Sequence, residues 1–411
     1  MFGFDVHSSF IFETLREPGG RDPLEIVGRQ VEDSSPKHEL VVELDEPALH
    51  ARIYHDGATY RLWLRGVGWF DVDPRIPRIA APPGAASLER EEVVWGLPAL
   101  LCFLHRGDAS LHAAAVEVAG AAILLVAPQA HGKSTLAAAF GRRGHRILSE
   151  DLTCIRLEPS ACVIPGPASL RLRDDVAQEV EVPFGRMLGR RHGRTRYALD
   201  DRGDCGPVPL RAVLLLYPSD DEISLEPVEP RRTLRDLWQS SFWLTESHRR
   251  HSFECVAGLA NEVPIMKLRR PLRTEALAAT VDHVLARLDS CGVETVRTTS
   301  SDDRPSRNRH PRSAAGVGAT DAKARLAKHV VYEIVGAETI VLDFASGSHY
   351  ALNATAGRML ELLERSPTVG EAAKALAAEY GRGVEGVARD IHELCRALRE
   401  RGLLEFVLEA I

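Results

Sequence analysis

The chain has little of what marks a secreted, membrane-bound or nucleic-acid-binding protein. Its seven cysteines, Cys102, Cys154, Cys162, Cys205, Cys255, Cys291 and Cys395, stand singly with no C-x-x-C pair. That spacing excludes the usual zinc and disulfide frameworks and suits a reducing cytosol. Residues 1–7 lack a basic stretch followed by an apolar one, so no secretion signal is read there. No apolar run nears the roughly 18 residues of a membrane span. Positive charge is in deficit: 51 Lys and Arg against 58 Asp and Glu give a net charge of −7, which argues against a general binder of nucleic acid. These absences lead to the expectation of a cytoplasmic protein with no membrane and no nucleic-acid partner. What remains is ample: 411 residues, 45% hydrophobic, enough for two or three cores.

Residues 1–95 alternate apolar and polar positions in short pieces, 39–44, 50–54 and 60–67, and read as a β-rich N-terminal lobe. They carry no clustered His, Cys or carboxylates of a kind that suggests chemistry. Helical spacing over 91–105 leads into residues 96–294, where strand patterns at 112–118, 121–126, 146–148, 152–157 and 212–217 mix with helical ones at 135–143, 233–243 and 274–288. That mixture is α/β. Between 295 and 328 there is almost nothing to bury, and the stretch reads as a flexible, mildly basic linker, with a nucleic-acid arm as the lesser alternative. Residues 329–411 form a second domain. Three short strands at 330–335, 339–343 and 348–352 precede three helical stretches at 354–363, 369–379 and 384–401, with Thr368 and Glu371 at a helix start.

Chemistry is concentrated at 127–134, Ala-Pro-Gln-Ala-His-Gly-Lys-Ser, between the apolar run 121–126 and a helical one. Strand, tight loop, Gly-Lys-Ser and helix is the arrangement that holds a nucleoside triphosphate. Backbone N–H groups cradle phosphate, Lys133 reaches the outer phosphates and the Ser134 hydroxyl ligates Mg²⁺. The nucleotide-binding candidates are Ala127, Pro128, Gln129, Ala130, His131, Gly132, Lys133, Ser134 and Thr135. Ala127 stands where the P-loop pattern has glycine, and it fits there only at negative φ. The plainer alternative is an ordinary strand–turn–helix connection. His112 lies fifteen residues before Ala127, and Glu150-Asp151 begins twenty-three residues after it. In an open α/β sheet such strand ends gather around the loop. Phosphoryl transfer needs this inventory: a proton acceptor (Glu150), a second carboxylate for metal or orientation (Asp151), an imidazole and a fixed cation. Taken alone, the acidic pair has a solvated turn as its lesser reading, and His112 reads more readily as a packed or surface histidine; their joint placement favours the site.

The run His112-Ala-Ala-Ala-Val, the loop fifteen positions on, and Arg143-Gly-His-Arg-x-Leu-Ser-Glu-Asp151 resemble the HPr serine kinase/phosphorylase family and its P-loop relatives. The resemblance is strong over 105–155 and loose over 155–285. It implies ATP and Mg²⁺ as ligands, Glu150 as acceptor of a serine proton, Ser134 and Asp151 at the metal, and His112 beside the carboxylates. Ala127 and Ala130 replace loop glycines, and Glu150 replaces an Asp. Asp174 and Asp175 lie near the expected place of a later metal-binding Glu without matching its motif. The chain thus reads as a divergent kinase branch. Five arginines, Arg186, Arg190, Arg191, Arg194 and Arg196, suggest a mobile basic loop over 185–197, closing on phosphate or merely solvated. Arg171 and Arg173 alternate with Leu170 and Leu172 as one basic strand face.

The segment 330–406 resembles PqqD-like proteins, the leader-peptide-binding RiPP recognition elements. The resemblance rests on the three-strand start, Ser348-His-Tyr-Ala-Leu-Asn353 with Ala354-Thr-Ala-Gly, and a long last helix ending Arg401-Gly-Leu-Leu. It implies a winged-helix-like α+β domain to which a leader peptide adds as a strand, with Tyr350 and Leu352 on the strand side and Arg389 and His392 on the helix side. DNA-binding winged helices have the same outline, but Glu385, Asp390, Glu393 and Glu400 offset the arginines of the last helix. A kinase-like P-loop domain joined to a peptide binder resembles lasso-peptide tailoring kinases. The expectation is a serine kinase acting on a ribosomally made precursor peptide. The alternatives are a nucleotide-dependent peptide chaperone and a kinase of an HPr-like carrier, and a homo-oligomer is left open.

Overall fold

Tyr60, Leu62 and Leu64 are buried while Arg61 and Trp63 between them are part-exposed, the two-residue period of a strand with one wet face. In the computed structural model this alternation belongs to a seven-stranded sheet: β1 Phe4–Ser8, β2 Asp22–Gly28, β3 Glu39–Glu46, β4 Leu49–His55, β5 Tyr60–Leu64, β6 Gly68–Asp73 and β7 Arg78–Ala81. Their order is β1-β2-β7-β6-β5-β4-β3. The structure describes residues 1–17, 20–29, 39–46, 49–84, 87–128, 130–200, 203, 206–228, 230–290, 323–335, 338–343 and 348–407. Two compact units divide the chain, Met1–Thr295 and Val296–Ile411.

Helical spacing over 91–105 resolves into two helices, α1 Ser87–Val94 and α2 Leu97–His105. The break falls at Gly96, with Pro98 in the new first turn, where its missing N–H costs nothing. α2 is buried all round over residues 98–104, and Leu100, Leu101 and Leu104 join a core with Phe4, Leu24, Phe70 and, from farther along the chain, Cys154 and Ile164. Arg16 donates to the carbonyls of Gly166 at 2.7 Å and Ile147 at 2.6 Å. The expected boundary near residue 95 therefore separates two sheets but not two bodies.

The second sheet runs through β8 Ala109–Val118, β9 Ala121–Val126, then α3 Lys133–Arg142, β10 Arg146–Ser149, β11 Leu152–Arg156 and β12 Cys162–Ile164. A side sheet follows with β13 Ser169–Arg173, α4 Asp174–Glu179, β14 Gly185–Arg191 and β15 Arg194–Leu199. The chain then returns through β16 Val208–Pro218, β17 Ser224–Pro227, α5 Pro230–Gln239, α6 Glu246–Glu262, β18 Ile265–Arg270 and α7 Leu277–Ser290. Strands β9, β16 and β18 are parallel neighbours; β9 and the middle of β16 are buried on both faces, as their continuous apolar runs require, whereas Lys267 and Arg269 of β18 are part-exposed. β8 lies antiparallel to β9, and β10 and β11 pair with successive halves of β8, Ile147 opposite Val116 and Leu152 opposite His112. The Glu150-Asp151 junction is thus set against the middle of β8, between Ala115 and His112, where Ala113 pairs with Val126 at the end of β9. The expected mobile basic loop over 185–197 is corrected. It is a hairpin of β14 and β15, turned at His192 (φ 48°) and Gly193 (φ 71°). Three of its five arginines are held by acids: Arg186 by Glu13, Arg191 by Glu89, Arg196 by Glu92.

The linker expected over 295–328 lies, as far as residue 322, outside the described residues. Its last part is corrected, because Lys323–Leu326 is a strand, β19. The second unit continues with β20 Val330–Val335, β21 Glu338–Asp343, β22 His349–Leu352, α8 Ala354–Arg365, α9 Val369–Tyr380, α10 Val384–Glu400 and β23 Leu404–Val407. β19 pairs with β23, and β20-β21-β22 form a meander. Asn353 and Thr368 cap α8 and α9 by accepting the N–H groups of Ala356 and Glu371. Val387, Ile391, Cys395 and Leu398 form the buried face of α10. Among the described residues no helix is long and apolar enough to cross a membrane.

Candidate active site

The phosphate loop follows β9, whose residues 122–126 are buried. Gly132 at φ 76° turns the chain into α3, and the helix's first internal bond runs from Leu136 N–H to Gly132 O at 2.9 Å. The N–H groups of 133–135, Thr135 included, are left as helix-start donors. Ala127 is absent from the residues at positive φ, which satisfies its condition. Ala130 is not so placed; its φ is 66°. Pro128 is exposed, His131 is half-buried, and Gln129 lies outside the described residues. Lys133 is buried and donates to the carbonyls of Ala127 at 2.7 Å and Pro128 at 3.2 Å. Burial lowers its pKa, partly offset by the charges of Asp151 and Glu150. Behind the loop Arg270, 1% exposed, ends β18. It donates to the carbonyls of His131 at 3.2 Å and Gly132 at 3.1 Å. Burial pushes its pKa down to about 10. Among the described residues neither cation forms an ion pair.

The carboxylates stand at the end of β10, where a register shift between Ile147 and Ser149 re-aims the chain. Ser134 Oγ donates to Glu150 Oε1 at 2.7 Å. His112 Nδ1 lies 2.9 Å from Asp151 Oδ1. The Glu150 side chain is 2% exposed and that of Asp151 42%. Asp151 takes φ 73°, a region that Asp tolerates better than most residues. Burial alone raises the Asp151 pKa, but the hydrogen bond from His112 and the charge of Arg171 outweigh it and hold the carboxyl well below its ordinary range. The ring of Phe242 stands edge-on to His112 at 6.0 Å.

Of the residues expected from sequence, His112, Lys133, Ser134, Glu150 and Asp151 therefore meet at one end of the sheet. The pairing of Ser134 with Asp151 as metal ligands is not what the structure brings together, since the Ser134 hydroxyl is on Glu150. Asp174 accepts from Thr195 and Asp175 from Arg173. Among the described residues no three acids, imidazoles or thiols are arranged to hold a metal by themselves. Three residues escaped sequence reading: Arg270, Glu92 and Phe242. Arg171 was visible only as one member of a basic strand face.

In the second unit, Tyr350 and Leu352 pack against the core, on β22, an outer strand of its meander. Arg389 is exposed, and His392 Nδ1 donates to the Ala388 carbonyl at 2.6 Å. A groove between α8 and α10 is lined by Asn353, Thr355, Met359, Asp390, Leu394 and Ala397 among others, with Arg389 and His392 off it.

Residues 338–404 match the family model of coenzyme PQQ synthesis protein D (PqqD), so the second unit carries a PqqD domain. Comparison with curated proteins gives no match. Solved structures similar to the chain include TbiB1 in complex with the TbiA(beta) leader peptide, 29% identical over 21% of this chain and 99% of that one, with a TM-score of 0.20. Lasso peptide synthetase B1 complexed with the leader peptide is 27% identical over 20% and 99%, with a TM-score of 0.20. The HPr(Ser) kinase/phosphatase from Coxiella burnetii is 11% identical over 44% and 98%, with a TM-score of 0.25.

Proposed function

We propose that the chain is an ATP-dependent kinase that phosphorylates a serine hydroxyl of a ribosomally made precursor peptide captured by its PqqD domain. One observation carries the nucleotide half: Lys133 and Arg270, both buried, share a loop without a bonded acid among the described residues. Buried cations bonded to carbonyls but without a counter-charge are costly, and a polyphosphate on the helix-start N–H groups relieves that cost. The donor set also suits Mg²⁺, with the Ser134 hydroxyl beside the buried Glu150 carboxylate. Held there, the ion supplies positive charge across the phosphates.

Exposure divides the work of the two carboxylates. Glu150 is sealed against Ser134 and Arg171, which fits a metal-side role. Asp151 is open to an incoming hydroxyl and is oriented by His112. Asp151 takes the acceptor proton as the new O–P bond forms and the bond to the leaving ADP breaks. Its depressed pKa makes this a late transfer, consistent with a loose transition state. Lys133 exchanges its own loop carbonyls for phosphate oxygens.

The test is incubation of the full chain with ATP, Mg²⁺ and a precursor peptide, read as mass gain of one phosphate. Lys133→Ala is expected to abolish incorporation, and Asp151→Asn to lower kcat by about 10²-fold or more. Peptide bound without phosphate incorporated overturns the kinase reading in favour of a binding role.

A further inference from the structure

Three carboxylates converge on one guanidinium in this pocket. Arg171 Nε donates to Glu150 Oε2 at 3.0 Å, Nη1 to Glu92 Oε1 at 2.7 Å and Nη2 to Asp151 Oδ2 at 2.5 Å. The acids come from α1 and from the β10–β11 junction, the arginine from β13. Each acid gives Arg171 one oxygen. For Glu150 and Asp151 the second oxygen faces the loop side, toward Ser134 Oγ and His112 Nδ1. Carboxylates this close repel one another unless a cation stands between them. A divalent ion is the common solution; here the place is filled by a planar, permanently charged fork tied to the backbone. Arg196, 3.5 Å from Glu92, reinforces it.

We propose that Arg171 stands in for a second metal ion. The pocket then takes one divalent cation, at Ser134 and Glu150, and Arg171 is a positioning residue that aims Glu150 at Ser134 and Asp151 at His112. The inference rests on the metal–nucleotide reading of the site. A guanidinium already bonded to three acids leaves no ligand set for another ion beside it, and its charge repels one. Removing it frees three carboxylate oxygens that face a common centre.

The measurement is Mn²⁺ binding to the full chain in the presence of a non-hydrolysable ATP analogue, followed by electron paramagnetic resonance without turnover. The native chain is expected to bind one Mn²⁺, Arg171→Lys one, and Arg171→Ala two. In kinetics, Arg171→Ala is expected to lose on the order of 100-fold in kcat with little change in KM for ATP, and Arg171→Lys to recover part of it. Two ions in the native chain, or one in a folded Arg171→Ala, overturns the role of Arg171 while leaving the nucleotide reading standing. No Mn²⁺ bound in the native chain sinks both. Should Arg171→Ala fail to fold, Arg171→Met, which keeps the bulk without the charge, takes its place: two Mn²⁺ are expected, and one overturns the role of Arg171.

Discussion

Ala130, at φ 66°, holds a backbone conformation that costs a non-glycine residue about 1–2 kcal/mol. Ala127, at negative φ, carries no such strain. The loop's two departures from a glycine-rich pattern are therefore unequal, and residue identities alone could not rank them because both read as alanine for glycine. Ala130→Gly is expected to stabilise the folded chain by up to about 1 kcal/mol, part of the relief being offset by the greater freedom of glycine when unfolded. Thermal unfolding measures it, and a lower melting temperature would refute the strain. Gly132→Ala has the opposite outcome. At φ 76° its new Cβ meets Arg270 Nη2 at 2.2 Å, so nucleotide affinity should collapse in a titration that Ala130→Gly leaves intact or improved. Arg270 itself was illegible in sequence. The second of two adjacent arginines closing a strand gives no sign that it reaches a loop more than a hundred residues away.

At the scale of elements, legibility followed how each segment satisfies its polar groups. β20, β21, β22 and the helices behind them stand close to their expected bounds, because apolar spacing and the caps Asn353 and Thr368 are local signals. The hairpin β14–β15 and helix α6 were not legible. Arg186, Arg191 and Arg196 of the hairpin find acids distant in sequence, and the first half of α6, Glu-Ser-His-Arg-Arg-His-Ser, is polar throughout. Yet α6 seats His248 with its pKa pushed down to about 4, by burial first and then by the charges of His105, His251 and His55. The folded state thus binds this proton far less readily than the unfolded chain, whose histidine titrates near 6.5. Stability is fully present above about pH 6.5 and declines as pH falls toward 4. Discounted for partial exposure, the loss is of order 2 kcal/mol. His248→Leu should flatten the fall in melting temperature between pH 6.5 and 5, where most carboxylates remain ionised; an unaltered slope would show that the acid sensitivity lies elsewhere.

For the whole molecule, motif spacing told that His112, the loop and Glu150-Asp151 meet, because antiparallel pairing sets Ala113, next to His112, opposite Val126 at the end of β9, and Leu152, next to Asp151, opposite His112. It could not tell that the lobe of residues 1–95 and the loop sheet share a core, since that contact is made by scattered residues such as Phe4, Phe103 and Cys154. The second unit has its own core, and that core fixes where it can be cut. Ala324 and Ala327 are 1% and 2% exposed, and β19 pairs with β23 along Lys323–Leu326. A fragment beginning at residue 330 discards that strand and is expected to be unstable, whereas one beginning before 323 keeps it. If the PqqD domain serves to hold the precursor near the phosphate loop, severing the chain between 295 and 322 and supplying both pieces at micromolar concentration removes the local excess of peptide. Tethering is worth about 10²–10⁴-fold, so kcat/KM for full-length precursor should fall by that order while kcat at saturating peptide is kept. A core peptide without its leader should be phosphorylated equally by the cut and the intact protein. An undiminished kcat/KM for the full-length precursor after severing would mean that capture by the second unit does not deliver the substrate.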